Sequence, residues 1–392
     1  MKKIGKKKDL AIFGASPAFQ EPIHVGYPNI GNKELFLKLA DKILDSRRFT
    51  NNGPLVQELE QRISKYLGVK HCIALCNGTI ALEIAIRALE LKGEVIVPSF
   101  TFIATAHALS WLGLTPVFAD IDPKTHCLDP NSVRSMITPQ TSGILAVHLW
   151  GRPCDIEALQ EIAECYNLEL LFDAAHAFGC SYRGTMIGNF GRCEVVSFHA
   201  TKFFNTFEGG AILTNDDQLA DKIRLIRNFG FTGYDQVDHI GTNGKLPEIS
   251  AAMGISNLMA INDLIRTNQR NYNLYLRYLE DIPFISMIRY NSVEHNNYQY
   301  IVIEVDEQSP TTRDDIIKIL HAENILARKY FWPGCHNMKP YRNLYIDANR
   351  FLKNTNDVAK RVIVLPNGYH LSESMIETIC SVIKIATSNK IF

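Results

Sequence analysis

The stretch His71–Leu91, HCIALCNGTIALEIAIRALEL, changes period half-way along. HCIALC is a short apolar run of strand length. TIALEIAIRALEL repeats its apolar residues at three- and four-residue spacing, the pattern of a helix. The same step recurs outward along the chain. EVIVPSF, TPVFADI, GILAVHLW and LELLFDAA read as strands, with FIATAHALSWLG and DIEALQEIAECYN as helices among them. Strands alternating with helices predict an α/β fold whose mainly parallel sheet is covered on both faces. EVVSFH and GGAILTN stand close together and are expected to end this region as neighbouring strands. The helix DDQLADKIRLIRNFG follows and closes at Gly230.

Beyond Pro247 a long amphipathic stretch over 248–280 leads to a smaller α/β set: YQYIVIEVD, TTRDDIIKILHAENI, RVIVLP and SESMIETICSVIKIA. A chain of 392 residues has room for two domains. The expected division gives 51–265 to a large domain and 266–392 to a small C-terminal one, with residues 1–50 packing against the small domain.

With 41 basic and 41 acidic residues the chain has no net charge, which removes the electrostatic reason to expect nucleic acid or an anionic membrane as partner. The basic start MKKIGKKKDLAIFGASPAF has only LAIFGA as an apolar run. It reads as a frayed, solvated terminus rather than a signal peptide, and a cytoplasmic protein is expected. No run of about 18 apolar residues reads as a membrane span. Nine scattered cysteines, with Cys72 and Cys76 lacking a second pair, suit buried reduced thiols better than a metal site.

In an open parallel sheet, ligands bind at the carboxyl ends of the strands. After CIALC comes Asn77-Gly78-Thr79 at a helix start, where Gly78 lets backbone approach a phosphate and Thr79 offers a hydroxyl; NGT equally reads as a simple N-cap. After LELLF comes Asp173, followed by His176. A carboxylate there needs a cationic or hydrogen-bonding partner such as a protonated ring nitrogen, unless it only caps the next turn. After VVSFH, ahead of the turn signal EGG, comes Lys202: a desolvated amine usable against carbonyls, or a snorkelling surface lysine. Taken together, a phosphate cradle, a carboxylate and an imine-forming lysine meet the needs of pyridoxal phosphate.

With these motifs the chain resembles the DegT/DnrJ/EryC1/StrS family of sugar aminotransferases, from VGYPNIG to LPNGYHLS. SFHATKFFNTFEGGA is the most specific match, and NGTIAL, PSFTFIATA and DAAHAFG stand in the expected order. The resemblance implies the fold type I architecture of pyridoxal-phosphate-dependent transferases. It also implies pyridoxal 5'-phosphate as cofactor, alternating with pyridoxamine 5'-phosphate during turnover. By resemblance Lys202 carries the cofactor and is the catalytic residue, and Asp173 pairs with the pyridine nitrogen. Gly78, Thr79 and Ser197 bind the phosphate, Phe102 stacks on the ring, and His176 lies near its phenolic side.

The family implies a homodimer whose sites are shared across the interface, with Asn243 reaching the neighbouring subunit's phosphate. HLWGRPCDIEAL and RNFGFTGYDQVDHIGTNGK are similar to members that transfer an amino group from L-glutamate to C4 of dTDP-4-dehydro-6-deoxy-D-glucose, for surface polysaccharides, O-antigens or antibiotics. For the sugar nucleotide, Arg328, Tyr330 and His336 in ARKYFWPGCHNMKPY are the candidates. KLPE stands where KMSE or RMSE is expected, which puts Pro247 beside the intersubunit contact. A C3 transaminase, a GDP-perosamine synthase, a pyridoxamine-phosphate dehydratase and a cofactor-binding regulator are the rivals. The dehydratase branch has histidine in place of Lys202, and the chain lacks a basic recognition patch for a regulator.

Overall fold

The structure is a computed structural model that describes residues 4–388. Its centre is a seven-stranded sheet of β1 (His71–Leu75), β2 (Glu94–Pro98), β3 (Thr115–Ala119), β4 (Thr141–Val147), β5 (Glu169–Asp173), β6 (Cys193–Ser197) and β7 (Gly210–Thr214). The order across the sheet is β1-β7-β6-β5-β4-β2-β3. All pairs are parallel except those made by β7, which runs antiparallel to both β1 and β6. The strands read as continuous apolar runs because both faces are covered. Successive residues of one strand enter different cores: Ile144 and Ala146 of β4 join Phe172 and Val196 on one side, while Leu145 joins Leu171 and Val195 on the other.

Helices α1 (Lys33–Ser46) and α2 (Pro54–Leu67) precede the sheet, α3 (Gly78–Ala88) follows β1, and α4 (Ile103–Trp111) follows β2. The amphipathic stretch at 248–280 is two helices, α5 (Glu248–Met259) and α6 (Ile261–Leu279), separated at Ala260. Helix α5 is buried almost all round, because α1 and α2 both pack on it. Pro247 is its exposed N-cap, with a carbonyl that accepts from Ser250 and Ala251. Buried Glu248 accepts from the first amides of α2, Leu55 N at 3.0 Å and Val56 N at 2.9 Å. Those amides have no intrahelical acceptor, so the carboxylate completes the helix end.

A small antiparallel sheet, β8 (Ile285–Met287), β9 (Ile301–Val305) and β10 (Val362–Leu365), packs with α6, α7 (Arg313–Ala322) and α8 (Glu373–Ser388) around a third core. The N-terminal segment divides. Residues 4–24 join this third core through Ile4, Leu10, Phe19 and Ile23, and the Glu323 carboxylate accepts from Ala18 N at 2.7 Å. The basic start is therefore docked by apolar burial from Ile4 onward rather than frayed; Met1–Lys3 lie outside the described residues. Helix α1, expected with the small domain, packs on α5 instead and places Leu39 and Ile43 in the core of the large sheet. The segment after residue 334 also returns to the large sheet, where Cys335, Tyr341 and Leu352 enter the core beside Phe118.

Candidate active site

The carboxyl ends of β1, β5 and β6 face one cavity of about 360 Å³, with Gly78, Thr79, Phe102, Asp173, His176, Ser197 and Lys202 in its wall. That volume suits a cofactor-sized ligand. Register explains the convergence. Asp173 is the last residue of β5 and lies opposite Val147 of β4 and Val195 of β6, and Gly210 at the start of β7 lies opposite both Leu75 and Ser197.

The Gly78 end is a cradle shaped by missing side chains. Asn77 caps α3, its Oδ1 accepting from Ile80 N at 2.8 Å, and Asn77, Gly78 and Thr79 at this helix start line the cavity. A Cβ on Gly78 would stand 3.0 Å from Ser197 Cβ and 3.3 Å from its Oγ. One on Gly210 would stand 2.8 Å from both Gly78 N and Val196 O. Neither Gly209 nor Gly210 has a positive φ. The expected turn at EGG is therefore a close approach of three backbone segments, and Gly210 begins a strand.

Asp173 is 6% exposed, and burial raises its pKa despite donors from Ala175 N at 3.1 Å and Thr105 Oγ1 at 2.9 Å. A carboxylate this dry and short of countercharge calls for a cationic donor. Lys202 follows β6 on a loop held by buried Phe198, Phe203 and Phe204, which cluster with Phe178. The residue is part exposed as a whole, but its ammonium is enclosed. Nζ donates to Tyr300 Oη at 3.1 Å. Burial lowers its pKa from 10.5 to about 8, with Asp173 pulling the other way. Of the two readings of Lys202, a desolvated amine bonded to Tyr300 at the cavity wall fits this geometry better than a snorkelling surface residue.

His176 is buried, and desolvation pushes its pKa well below 6.5. Its Nδ1 accepts from Trp150 N at 3.2 Å, so the ring is neutral with its proton on Nε2. Phe102 is the residue before α4 and is 56% exposed, free to lie over a ring entering the cavity. This set fits pyridoxal phosphate: the cradle for phosphate, Asp173 for a protonated ring nitrogen, and an amine of lowered pKa for the aldehyde.

The remaining expected residues are placed differently. Tyr330 lines the cavity, and exposed Arg328 lines an adjoining groove of about 340 Å³ that shares Phe102, Tyr330 and Phe331 with it. The Arg328 guanidinium stands over the Tyr330 ring at 4.9 Å. His336 is not brought to the cavity. It is 1% exposed, with Nδ1 2.6 Å from Ser99 Oγ and Nε2 3.0 Å from Asn349 Oδ1. Those bonds fasten the returning segment to β2, so the expectation that His336 touches substrate is corrected. Asn243 lies in an exposed loop bridged to Asn228 and outside this chain's cavity wall. Reading by strand ends missed Tyr300, Thr105 and Phe331. Tyr300 lies beside a strand of the other domain, and only the pairing of a buried threonine with Asp173 marks Thr105.

Residues 31–384 match the DegT/DnrJ/EryC1/StrS aminotransferase family. The chain belongs to that family. A relative from Shigella dysenteriae named dTDP-4-amino-4,6-dideoxy-D-glucose transaminase is 40% identical over 365 residues, covering 93% of this chain and 99% of its own. One of the same name from Escherichia coli is 38% identical, covering 90% and 96%. Among solved structures, that of DesI in the presence of its TDP-sugar product superposes with a TM-score of 0.93 at 43% identity, covering 97% of each chain. The protein is an aminotransferase, with the mainly parallel α/β fold of its family. Among the described residues no helix is long and apolar enough to cross a membrane.

Proposed function

We propose that this aminotransferase moves the amino group of L-glutamate to C4 of dTDP-4-dehydro-6-deoxy-D-glucose, giving dTDP-4-amino-4,6-dideoxy-D-glucose and 2-oxoglutarate. One observation carries the chemistry: an enclosed lysine amine of lowered pKa and a desolvated carboxylate face one cavity beside a glycine cradle. The substrate rests on the Shigella and Escherichia relatives and on the TDP-sugar named with DesI.

Pyridoxal 5'-phosphate, when bound, supplies an aldehyde that takes up the amino group and a ring that withdraws electrons from the neighbouring carbon. The chain's own residues do the rest. Gly78, Thr79 and Ser197 hold the phosphate, and Asp173 keeps a proton on the ring nitrogen. Lys202 Nζ takes the proton from Cα of glutamate and, in the second half-reaction, delivers one to the sugar carbon that receives the amine. Its lowered pKa leaves it partly neutral near pH 8, where a base and nucleophile is most useful.

The groove beside the cavity suits the nucleotide end of the substrate, with the fork of Arg328 donating to its diphosphate and Tyr330 at the junction. Residues 51–265 act as the cofactor-binding domain in a cytoplasmic homodimer. Asn243 completes the site of the partner subunit.

The test follows the absorption band of the protein loaded with pyridoxal phosphate. Glutamate should bleach it and dTDP-4-dehydro-6-deoxy-D-glucose restore it, with NMR of the product placing the amine at C4. Bleaching without restoration removes this substrate; an amine at C3 removes the regiochemistry.

A further inference from the structure

Behind His176 an oriented set of hydrogen bonds runs back to the small sheet. The backbone N–H of Trp150 donates to Nδ1 of His176 at 3.2 Å, and its indole Nε1–H donates to Nδ1 of His126 at 3.2 Å. His126 Nε2 meets Oε1 of Glu304, on β9, at 3.1 Å. Arg361 Nη1 holds the other oxygen of Glu304 at 2.9 Å. The sense of the first two bonds has no alternative, because a backbone amide and an indole N–H only donate. Both imidazoles therefore use Nδ1 as a lone pair and carry the proton on Nε2. The His126 proton is directed to Glu304. The His176 proton has no acceptor among the described residues, and its ring lines the cavity.

The turn that makes this arrangement is a costly one. Trp150 has φ 63° and Gly151 φ 82°, consecutive left-handed residues, which for tryptophan is strained. A Cβ on Gly151 would lie 2.9 Å from the His176 carbonyl oxygen, so the turn is pressed against the histidine it orients. The strain is held by several contacts at once. Tyr290 Oη donates to the Trp150 carbonyl at 2.9 Å, and the indole packs beside both His176 at 5.9 Å and Phe331 at 5.3 Å, two rings that also meet each other at 6.1 Å. The only side-chain polar group of Trp150 is used on His126.

We propose that His126 and Trp150 are positioning residues for the reaction, tying Glu304 of the small sheet to His176 and fixing His176 as a neutral donor that offers Nε2–H to the cavity. The proposal rests on the reading above in one respect, that this N–H meets the phenolic oxygen of the cofactor.

Two-bond ¹H–¹⁵N spectra of histidine-labelled, cofactor-free protein at pH 7.5 test it first, with His176 assigned by its loss in His176→Asn. The expected pattern is protonated Nε2 and bare Nδ1; the opposite tautomer or an imidazolium overturns the proposal. His126→Phe then removes the indole's acceptor. With that anchor gone the strained turn should relax and carry the Trp150 N–H away from His176, mixing the tautomers of His176, shifting the absorption maximum of added pyridoxal phosphate, and lowering kcat roughly tenfold with little change in KM, the effect of one lost hydrogen bond. His126→Asn, whose Oδ1 can stand where Nδ1 stood, should restore all three. Unchanged tautomer and absorption in His126→Phe overturn the positioning role. Should that variant not fold, Trp150→Phe removes the indole donor that anchors the left-handed turn to His126; the freed turn should move its backbone N–H and shift the absorption maximum, and an unshifted maximum there equally overturns the positioning role. A protein with the expected tautomer that takes up no pyridoxal phosphate leaves the orientation of His176 standing and removes the proposed function instead.

Discussion

Replacing Lys202 with methionine should abolish transamination and at the same time raise the stability of the cofactor-free protein. Nζ is enclosed, bonded to Tyr300 Oη at 3.1 Å, and its pKa falls from 10.5 to about 8 because burial disfavours the charge. A lysine with a lowered folded pKa is protonated more readily in the unfolded chain. The resulting penalty is fully present below about pH 8, shrinks between about 8 and 10.5, and is gone above that window. It amounts to about 3 kcal/mol at pH 7 and about 1 kcal/mol at pH 9.5. Methionine has similar length and no charge, so it removes the penalty while filling the space. Loss of the bond to Tyr300 reduces the gain at both pH values, while the attraction of Asp173 is already contained in the lowered pKa. For a chain of 392 residues, 1 kcal/mol moves Tm by about 1 °C. Calorimetry of the cofactor-free proteins should therefore show Lys202→Met melting about 1–3 °C above the parent at pH 7, with the gap about 2 °C narrower at pH 9.5. A gap that widens with pH, or none at either, refutes the account of an ammonium confined against its solvation.

Gly78→Ala should leave the fold intact but lower pyridoxal-phosphate affinity at least about tenfold in equilibrium titration, since its Cβ would come within 3.0 Å of Ser197 and narrow the cradle. Arg328→Ala should raise KM for the sugar nucleotide by roughly 10- to 100-fold, the worth of a charge-assisted bond, and leave KM for glutamate nearly unchanged; equal effects on both remove Arg328 from the nucleotide groove. Glu194 lies fully buried, paired with His148 at 3.2 Å and accepting from Gly188 N and Phe190 N at 2.7 and 2.8 Å. Glu194→Ala should cost about 3–5 kcal/mol in urea unfolding by orphaning all three. Asn243→Ala should speed loss of cofactor on dialysis if the loop serves a partner's phosphate; unchanged occupancy counts against that role.

The alternating fold was legible because a parallel sheet buried on both faces leaves near-continuous apolar runs, and because its helices carry side-chain N-caps such as Asn77, Asp155 and Asp216. Failures came where neighbours outweighed local pattern. The stretch 248–280 reads as amphipathic throughout, yet only α6 has a one-sided apolar stripe; α5, enclosed by α1 and α2, is buried nearly all round. Likewise a basic N-terminus reads as solvated when the partner of Leu10 and Phe19, a core some 300 residues away in sequence, is out of view.

The site divides along the same line. Gly78, Asp173 and Lys202 were findable because they stand at or just past the ends of three different strands, β1, β5 and β6, and an open sheet collects those ends in one place. Tyr300, Trp150 and His126 carry no such address. Tyr300 reaches Lys202 only because the small domain folds onto the large one, and His126 matters only through Trp150, whose indole N–H it accepts and whose backbone N–H donates to His176. His336 failed for the complementary reason. A histidine near an arginine and a tyrosine looks like a ligand-binding residue until both ring nitrogens are found in use within the protein, by Ser99 and Asn349. What separates the two histidines is what surrounds Nε2: for His176 a cavity, for His336 a side-chain amide. A polar residue becomes a binding residue when the fold leaves one of its hydrogen bonds to be made by something else, and that remainder is a property of packing rather than of residue type.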